Sequence, residues 1–228
     1  MNQSRHPAIQ KSIDEAQGTI PDTFNGQLFQ DVFVNEVLDI DNGFFVDIGA
    51  GTDGIRNMPM SFFSNTYNLE RQRNWTGIAI DYDKDYIDTA QSQRRCQCVC
   101  ADLMATNIND ILKEFNCPSD VNYLSFDVDD AQPKVLNELD LSKYRFQIIT
   151  YEHNLYQGCD KDQKISRNKF KEAGYEILCG NVILRDVGIV EDWYVHSEFF
   201  DQYAHFQYND MNCLTIVNNI ISNKRKPT

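Results

Sequence analysis

Five short apolar runs, FFVDIG, GIAID, CQCVCAD, VNYLSFD and FQIITYE, recur along the chain with helix-patterned segments between them. That alternation restricts the fold more than any other feature. Strands joined by helices lie parallel, with right-handed crossovers, in one sheet covered on both faces. The expected helices are the pattern running from Gln27 to Leu38, a segment around Phe62 to Arg73, one after Asp83, Ile108 to Phe115, a stretch around Pro133 to Leu139, and one ending near Ala173. After them come YEILC, Gly180-Asn181 and VILRD. Gly-Asn between β-rich runs is a two-residue hairpin signal, so the sixth and seventh strands are expected to be antiparallel neighbours. The fold class is α/β: a Rossmann-like, seven-stranded, mostly parallel sheet with an antiparallel last strand.

A chain of 228 residues suits one domain of ordinary size. A polar arm over 1–25, a catalytic domain over 26–215 and a tail over 216–228 are expected, the tail carrying the basic cluster Lys224, Arg225 and Lys226. The formal charge of −13 argues against nucleic acid as a partner, because phosphate tracking relies on clustered Lys and Arg. No run approaches the ~18 apolar residues of a membrane helix, and MNQSRHPAIQKSIDEAQ lacks the apolar core of a signal peptide. A cytoplasmic protein is expected, with no membrane partner. Of seven cysteines, Cys96, Cys98 and Cys100 alternate along one strand; without CxxC spacing or a nearby His, they read as thiols in a reducing compartment instead of metal ligands.

Gly49, Gly51 and Gly54 spell GxGxxG directly after a strand, the pattern of a loop that brings backbone close to a nucleotide. Asp47 precedes it and Asp53 lies within it. Two carboxylates there would repel a pyrophosphate, whereas a ligand carrying an ammonium and a sulfonium gains from them. S-adenosylmethionine is such a ligand. Asp81, ending the second strand, is placed to accept from ribose hydroxyls. Asp102 and Leu103, ending the third, suit the adenine amino group and ring. Each Asp taken singly reads equally as a helix N-cap; together they favour a site. Asn65, Thr66 and Glu70 are candidates for the methionine end or for an exposed helix.

FVDIGAGTDG, SNTYNLE, NWTGIAID, LSFDVDDAQPKVLNEL, ITYEHN and EDWYV, in this order, resemble the FkbM-type family of methyltransferases. The resemblance runs through most of the chain. It implies the class I methyltransferase fold and methylation of a hydroxyl, often on a sugar or a glycosylated metabolite. Two departures stand out: IRNMPMSFF lengthens the connection after the glycine loop, and Asp81-Tyr82 replaces the usual Glu-Pro.

An alcohol holds its proton at neutral pH, so methyl transfer to it needs a base or a metal. Asp127 ends the fourth strand, with Asp129 and Asp130 close behind, and Glu152-His153-Asn154 end the fifth. In one version His153 is the general base and Glu152 orients it; in the other, Asp127 and Glu152 hold Mg²⁺. Glu191-Asp192-Trp193-Tyr194 reads either as a surface for stacking on a sugar ring or as an aromatic pair closing the core. HSEFFDQYAHFQY reads as a substrate lid or a homo-oligomer contact. The rival functions are an NAD-dependent oxidoreductase and a non-catalytic cofactor- or carbohydrate-binding module.

Overall fold

The structure is a computed structural model that describes residues 26–51 and 64–224. The arm over 1–25, Asp53, Gly54 and IRNMPMSFF lie outside the described residues. β1 (Phe44–Ile48), β2 (Thr76–Asp81), β3 (Gln97–Cys100), β4 (Asp120–Phe126) and β5 (Arg145–Glu152) pair in parallel in the order β3-β2-β1-β4-β5. β6 (Tyr175–Leu184) and β7 (Gly188–His196) follow as a hairpin, and β7 inserts between β5 and β6, antiparallel to both. A two-residue strand, β8 (Tyr208–Asn209), runs parallel to β6 at the outer edge, so the sheet has eight strands and not seven.

The helices among the described residues are α1 (Gln30–Leu38), α2 (Tyr67–Arg73), α3 (Lys84–Gln93), α4 (Ile108–Glu114), α5 (Gln132–Glu138), α6 (Lys161–Glu172), α7 (Ser197–Tyr203) and α8 (Cys213–Lys224). The strands bury side chains on both faces, as a sheet clad in helices requires. On one face Phe33 and Val37 of α1 and Ile216, Val217 and Ile220 of α8 join Phe45, Tyr123, Ile148 and Trp193. The Phe33 and Trp193 ring centroids are 4.4 Å apart. On the other face Ile111, Val135 and Phe170, from α4, α5 and α6, cover Val46, Ile48, Leu124, Ile149 and Tyr194. Each such side chain, fully buried, contributes roughly 1.5–3 kcal/mol. No helix among the described residues is long and apolar enough to cross a membrane.

Two local expectations are corrected and one open alternative is decided. The hairpin turn falls at residues 185–187, and Gly180-Asn181 lies inside β6. There Asn181 has φ 53° and the register with β7 shifts between Cys179 and Val182, which makes Gly-Asn a bulge. The displaced Asn181 N–H is satisfied by Asp192 Oδ1 at 2.8 Å. Residues 216–224, expected in a tail, continue α8, whose Ile216, Val217, Ile220 and Ile221 are buried. Lys224 anchors that helix, its Nζ 3.1 Å from Asp39 Oδ2 beyond the end of α1. Trp193 and Tyr194 are 0% and 1% exposed, so EDWYV builds the core and presents no ring to a sugar. The aromatic segment after it packs likewise: Tyr203 and Phe206 are buried, and Phe199, Phe200 and Tyr208 lie against the same cluster.

Candidate cofactor-binding cleft

β1 and β4 are neighbours whose following connections leave toward opposite sides of the sheet, and a crevice opens outside their carboxyl ends, as at the switch point of open α/β sheets. Here it is a cleft of about 500 Å³ lined by the tips of β1 to β4, the start of α1 and Asn65. That volume suits a nucleoside-sized ligand.

The glycines work by contact. Gly49, at φ 83°, passes so close to β4 that a Cβ on it would lie 1.5 Å from the Asp127 carbonyl oxygen. Its amide and that of Ala50 both donate to Ile80 O at 3.0 Å. The Gly51 amide donates to Asp81 Oδ2 at 2.7 Å, and a Cβ there would meet that oxygen at 2.6 Å. Asp81 Oδ1 accepts from Asp83 N–H at 2.8 Å, so the carboxylate is oriented at the cleft wall by the loop on one side and the approach to α3 on the other. A carboxylate can accept about four hydrogen bonds.

Asp102 and Leu103 line the same end. Asp102 Oδ1 also accepts from Met104 N–H at 2.8 Å, so it shapes its own turn. Tyr82 and Met104, 70% and 57% exposed, line the cleft beside them and give that end apolar surface for a flat ring. Sequence reasoning missed both, although an exposed aromatic directly after Asp81 was a visible signal. The other end is formed by Gln27, Gln30, Asn65 and residues 127–131. Asn65 Nδ2 donates to Ser125 Oγ at 3.0 Å, while its Oδ1 is buried without a hydrogen-bond partner.

Asp47 and Thr66 do not line the cleft. Thr66 Oγ1 donates to Asp47 Oδ2 at 2.5 Å and accepts from the Arg94 guanidinium at 2.8 Å. Arg94 Nε is 3.4 Å from Glu70 Oε2, with both side chains fully buried. Glu70 further accepts from the amides of Arg95 at 2.8 Å and Cys96 at 3.2 Å. Burial pushes Asp47 up, and Arg94, Thr66 and Ser125 draw it back. The cause is strand alternation: Asp47 shares the Phe45 face of β1, under the loop. These residues form a buried network and do not present charge to a ligand.

Asp127 lines the cleft, and Glu152 is hydrogen-bonded to it. Burial pushes Glu152 up to about 7, opposed by the Asp127 and Tyr156 hydrogen bonds and assisted by the charge of Glu191. Glu191 pairs with Glu152 in the β5–β7 register. It is 2% exposed and also pushed up to about 7 by burial. It accepts from Gln30 Nε2 at 2.7 Å and Trp193 Nε1 at 2.5 Å. Among the described residues no group of three His, Cys, Asp or Glu side chains is arranged to hold a metal ion.

His153, expected as the base, is 0% exposed and does not line the cleft. It faces the opposite side of β5, where its Nε2 is 3.1 Å from Gln163 Nε2 and 3.8 Å from Asp192 Oδ2. Arg167 grips Asp192 through two hydrogen bonds, at 2.7 and 2.8 Å. Burial alone would raise the Asp192 carboxyl; Arg167, His153 and the Asn181 amide hold it well below the usual range. The histidine is therefore a buried partner of an ion pair, a position that a motif at a strand end cannot distinguish from the cleft. Cys96 and Cys98 sit 3.9 Å apart, Sγ to Sγ, as free thiols.

The strand order, the reversed β7 and the cleft at the β1/β4 switch point together define the Rossmann-like fold of class I methyltransferases. No family model and no curated protein matches the sequence. Among solved structures, the chain is similar to precorrin-6y C5,15-methyltransferase from Geobacter metallireducens, at 12% identity over 80% of this chain and 93% of that one, with a TM-score of 0.47. It is similar to 1,6-didemethyltoxoflavin-N1-methyltransferase from Burkholderia thailandensis, at 12% identity over 83% and 85%, TM-score 0.43. It is also similar to a 23S rRNA methyltransferase, at 10% identity over 77% and 73%, TM-score 0.44. Likenesses this distant leave the fold resting on the strand order itself.

Proposed function

We propose that this chain transfers a methyl group from S-adenosylmethionine to a hydroxyl of a small acceptor, a sugar or glycosylated metabolite. The observation that carries the reading is the Gly51–Asp81 contact in the cleft: a loop amide and an oriented carboxylate, so close that a side chain at residue 51 would push the carboxylate aside, beside an apolar end formed by Leu103, Tyr82 and Met104. That cradle fits an adenosine, with Asp81 accepting from the ribose hydroxyls and Asp102 beside the adenine. Five aspartates, Asp81, Asp102, Asp127, Asp129 and Asp130, line the cleft, and no Lys, Arg or His does so among the described residues. Such a wall suits a cationic sulfonium better than the pyrophosphate of NAD. The charge of −13 likewise favours a small acceptor over nucleic acid.

When bound, S-adenosylmethionine supplies an electrophilic methyl group on sulfur. The chain's part is to align the acceptor oxygen and to take its proton as the new bond forms. Asp127, which lines the cleft, replaces His153 as the group that meets the hydroxyl, and Glu152 behind it, raised to about 7, is its partner in taking up the proton, since a group near neutrality accepts a proton and releases it again at physiological pH. An Asp127 carboxyl oxygen receives the hydroxyl proton, and Glu152 shares it from behind the cleft lining.

Thermal unfolding of the purified chain with S-adenosylmethionine, S-adenosylhomocysteine or NAD, each in large excess, tests the cofactor. Saturation at a hundredfold of the dissociation constant adds about 2.7 kcal/mol, a rise of roughly 5–10 °C for a domain of this size. A rise with the sulfur compounds alone supports the reading, and a rise with NAD alone overturns it.

A further inference from the structure

On the Phe45 face of the sheet two thiols face each other. Cys96 closes the bend that leads into β3, Cys98 is the second residue of that strand, and their sulfurs are 3.9 Å apart. A disulfide sets its sulfurs about 2.05 Å apart, so closure asks each of them to move by roughly 1 Å. The backbone can follow. Among the described residues β3 ends the sheet, bonded to β2 alone, and its pairing begins at Gln97, so Cys96 lies outside the ladder.

The two thiols are not equivalent. Cys96 is buried, whereas Cys98 is half-buried and open to a small reagent. The hydrogen bond from the Cys96 thiol holds Cys98 below the usual thiol range, with burial opposing and the Arg94 guanidinium assisting; the same bond, followed by burial, pushes Cys96 up. Cys98 is therefore the nucleophile and Cys96 the thiol behind it. Their neighbours tie the pair to the glycine loop. The amides of Cys96 and Arg95 donate to the two oxygens of Glu70, and Glu70 leads through Arg94 and Thr66 to Asp47, which stands on β1 just before Gly49.

We infer that Cys96 and Cys98 form a site of thiol–disulfide exchange with a small disulfide of the glutathione type, Cys98 attacking and Cys96 resolving, and that closing the bond disturbs the Glu70–Arg94 network under the glycine loop. In the first step the Cys98 thiolate displaces one glutathione thiolate and is left in a mixed disulfide. In the second, Cys96 gives up its proton and attacks Cys98 Sγ, displacing the second glutathione. Two protein thiols are oxidised to one disulfide, one glutathione disulfide is reduced to two thiols, and the protons of Cys96 and Cys98 end on the two glutathiones. A bond between residues so close in the chain gains little from chain entropy, and it stays easily reduced. Exchange therefore runs in both directions, whichever cofactor the cleft takes.

The full chain, as wild type, Cys96→Ser, Cys98→Ser and Cys100→Ser, is equilibrated with mixtures of reduced and oxidised glutathione, quenched with iodoacetamide and mapped by mass spectrometry with peptide fragmentation. Wild type and Cys100→Ser should each close the bond between Cys96 and Cys98 and open it again in dithiothreitol. Cys96→Ser should stop at a glutathione adduct on Cys98, and Cys98→Ser should leave Cys96 a free thiol. A wild type that keeps both thiols, that accumulates the Cys98 adduct without closing the bond, or that joins Cys98 to Cys100 overturns the inference. The oxidised wild type should melt below the reduced one, while Cys98→Ser treated alike melts as it did before; equal or higher melting of the oxidised chain overturns the link to the Glu70 network. Should Cys96→Ser not fold, wild type and Cys100→Ser decide the matter, since Cys100 is exposed and its loss leaves the core untouched.

Discussion

Glu152 and Glu191 stand opposite each other across β5 and β7, two buried carboxyls paired in the antiparallel register. Both are pushed up to about 7 from 4.5, by burial first. The unfolded chain therefore loses these protons at lower pH than the folded one. Their contribution to stability is full below about 4.5, declines as pH rises, and is gone above about 7. Urea unfolding at about pH 5 and about pH 8 should show the lower stability at the higher pH. Glu191→Gln should shrink the difference; a difference as large in the variant would contradict this account.

Gly49→Ala and Gly51→Ala should fail in different ways. At Gly49 both the positive φ and the Asp127 carbonyl oppose a side chain, so the substitution should destabilise the fold by more than about 2 kcal/mol. At Gly51 the clash is with the Asp81 carboxylate alone. That variant should keep most of its stability and lose the thermal shift given by S-adenosylhomocysteine. Parallel melting curves with and without ligand separate the two.

His153→Gln should lower stability while leaving S-adenosylhomocysteine affinity as it is, because His153 touches Gln163 and Asp192 and not the cleft. Arg167→Met should cost more, about 2 kcal/mol, by leaving the Asp192 carboxylate buried without its main partner; the figure sits below that for a fully buried pair because Arg167 is one-third exposed. A stable His153→Gln variant that binds cofactor but cannot turn over would restore histidine as the base.

Ending the chain at Asn212 removes α8 and with it the buried Cys213, Ile216, Val217, Ile220 and Ile221. At roughly 1.5–3 kcal/mol for each large apolar side chain, the loss rivals the whole stability of a domain, about 5–15 kcal/mol. Circular dichroism should find the shortened chain unfolded; a cooperative melt near that of the full chain would contradict this packing.

The five parallel strands and their helices were legible because apolar runs and helical spacing are local properties of the chain. The reversal after β5 was legible too, although its turn lies a few residues later than the Gly-Asn signal suggested. Asn at positive φ serves a bulge as readily as a turn, and the register shift and the Asp192 side chain under Asn181 distinguish them only in the folded sheet. Asp81, Asp102, Leu103 and Asp127 were placed in the cleft by one rule, that side chains at the carboxyl tips of strands surround the ligand. The same rule misplaced Asp47 and His153, since one residue along a strand selects between the faces of the sheet. Gln30 and Glu191 could not be found that way. Their meeting joins residues 161 positions apart in the chain, and nothing in either segment announces it.

α1 belongs to two neighbourhoods at once. Gln30 at its start lines the cleft, Phe33 at its middle leans on Trp193, and Asp39 just past its end is tied to Lys224 at the end of α8. A ligand that grips the first turn thus quiets a lever whose far arm is the carboxyl-terminal helix. Amide hydrogen exchange along α8 should slow on ligand binding, making that helix a remote reporter of an occupancy it never touches.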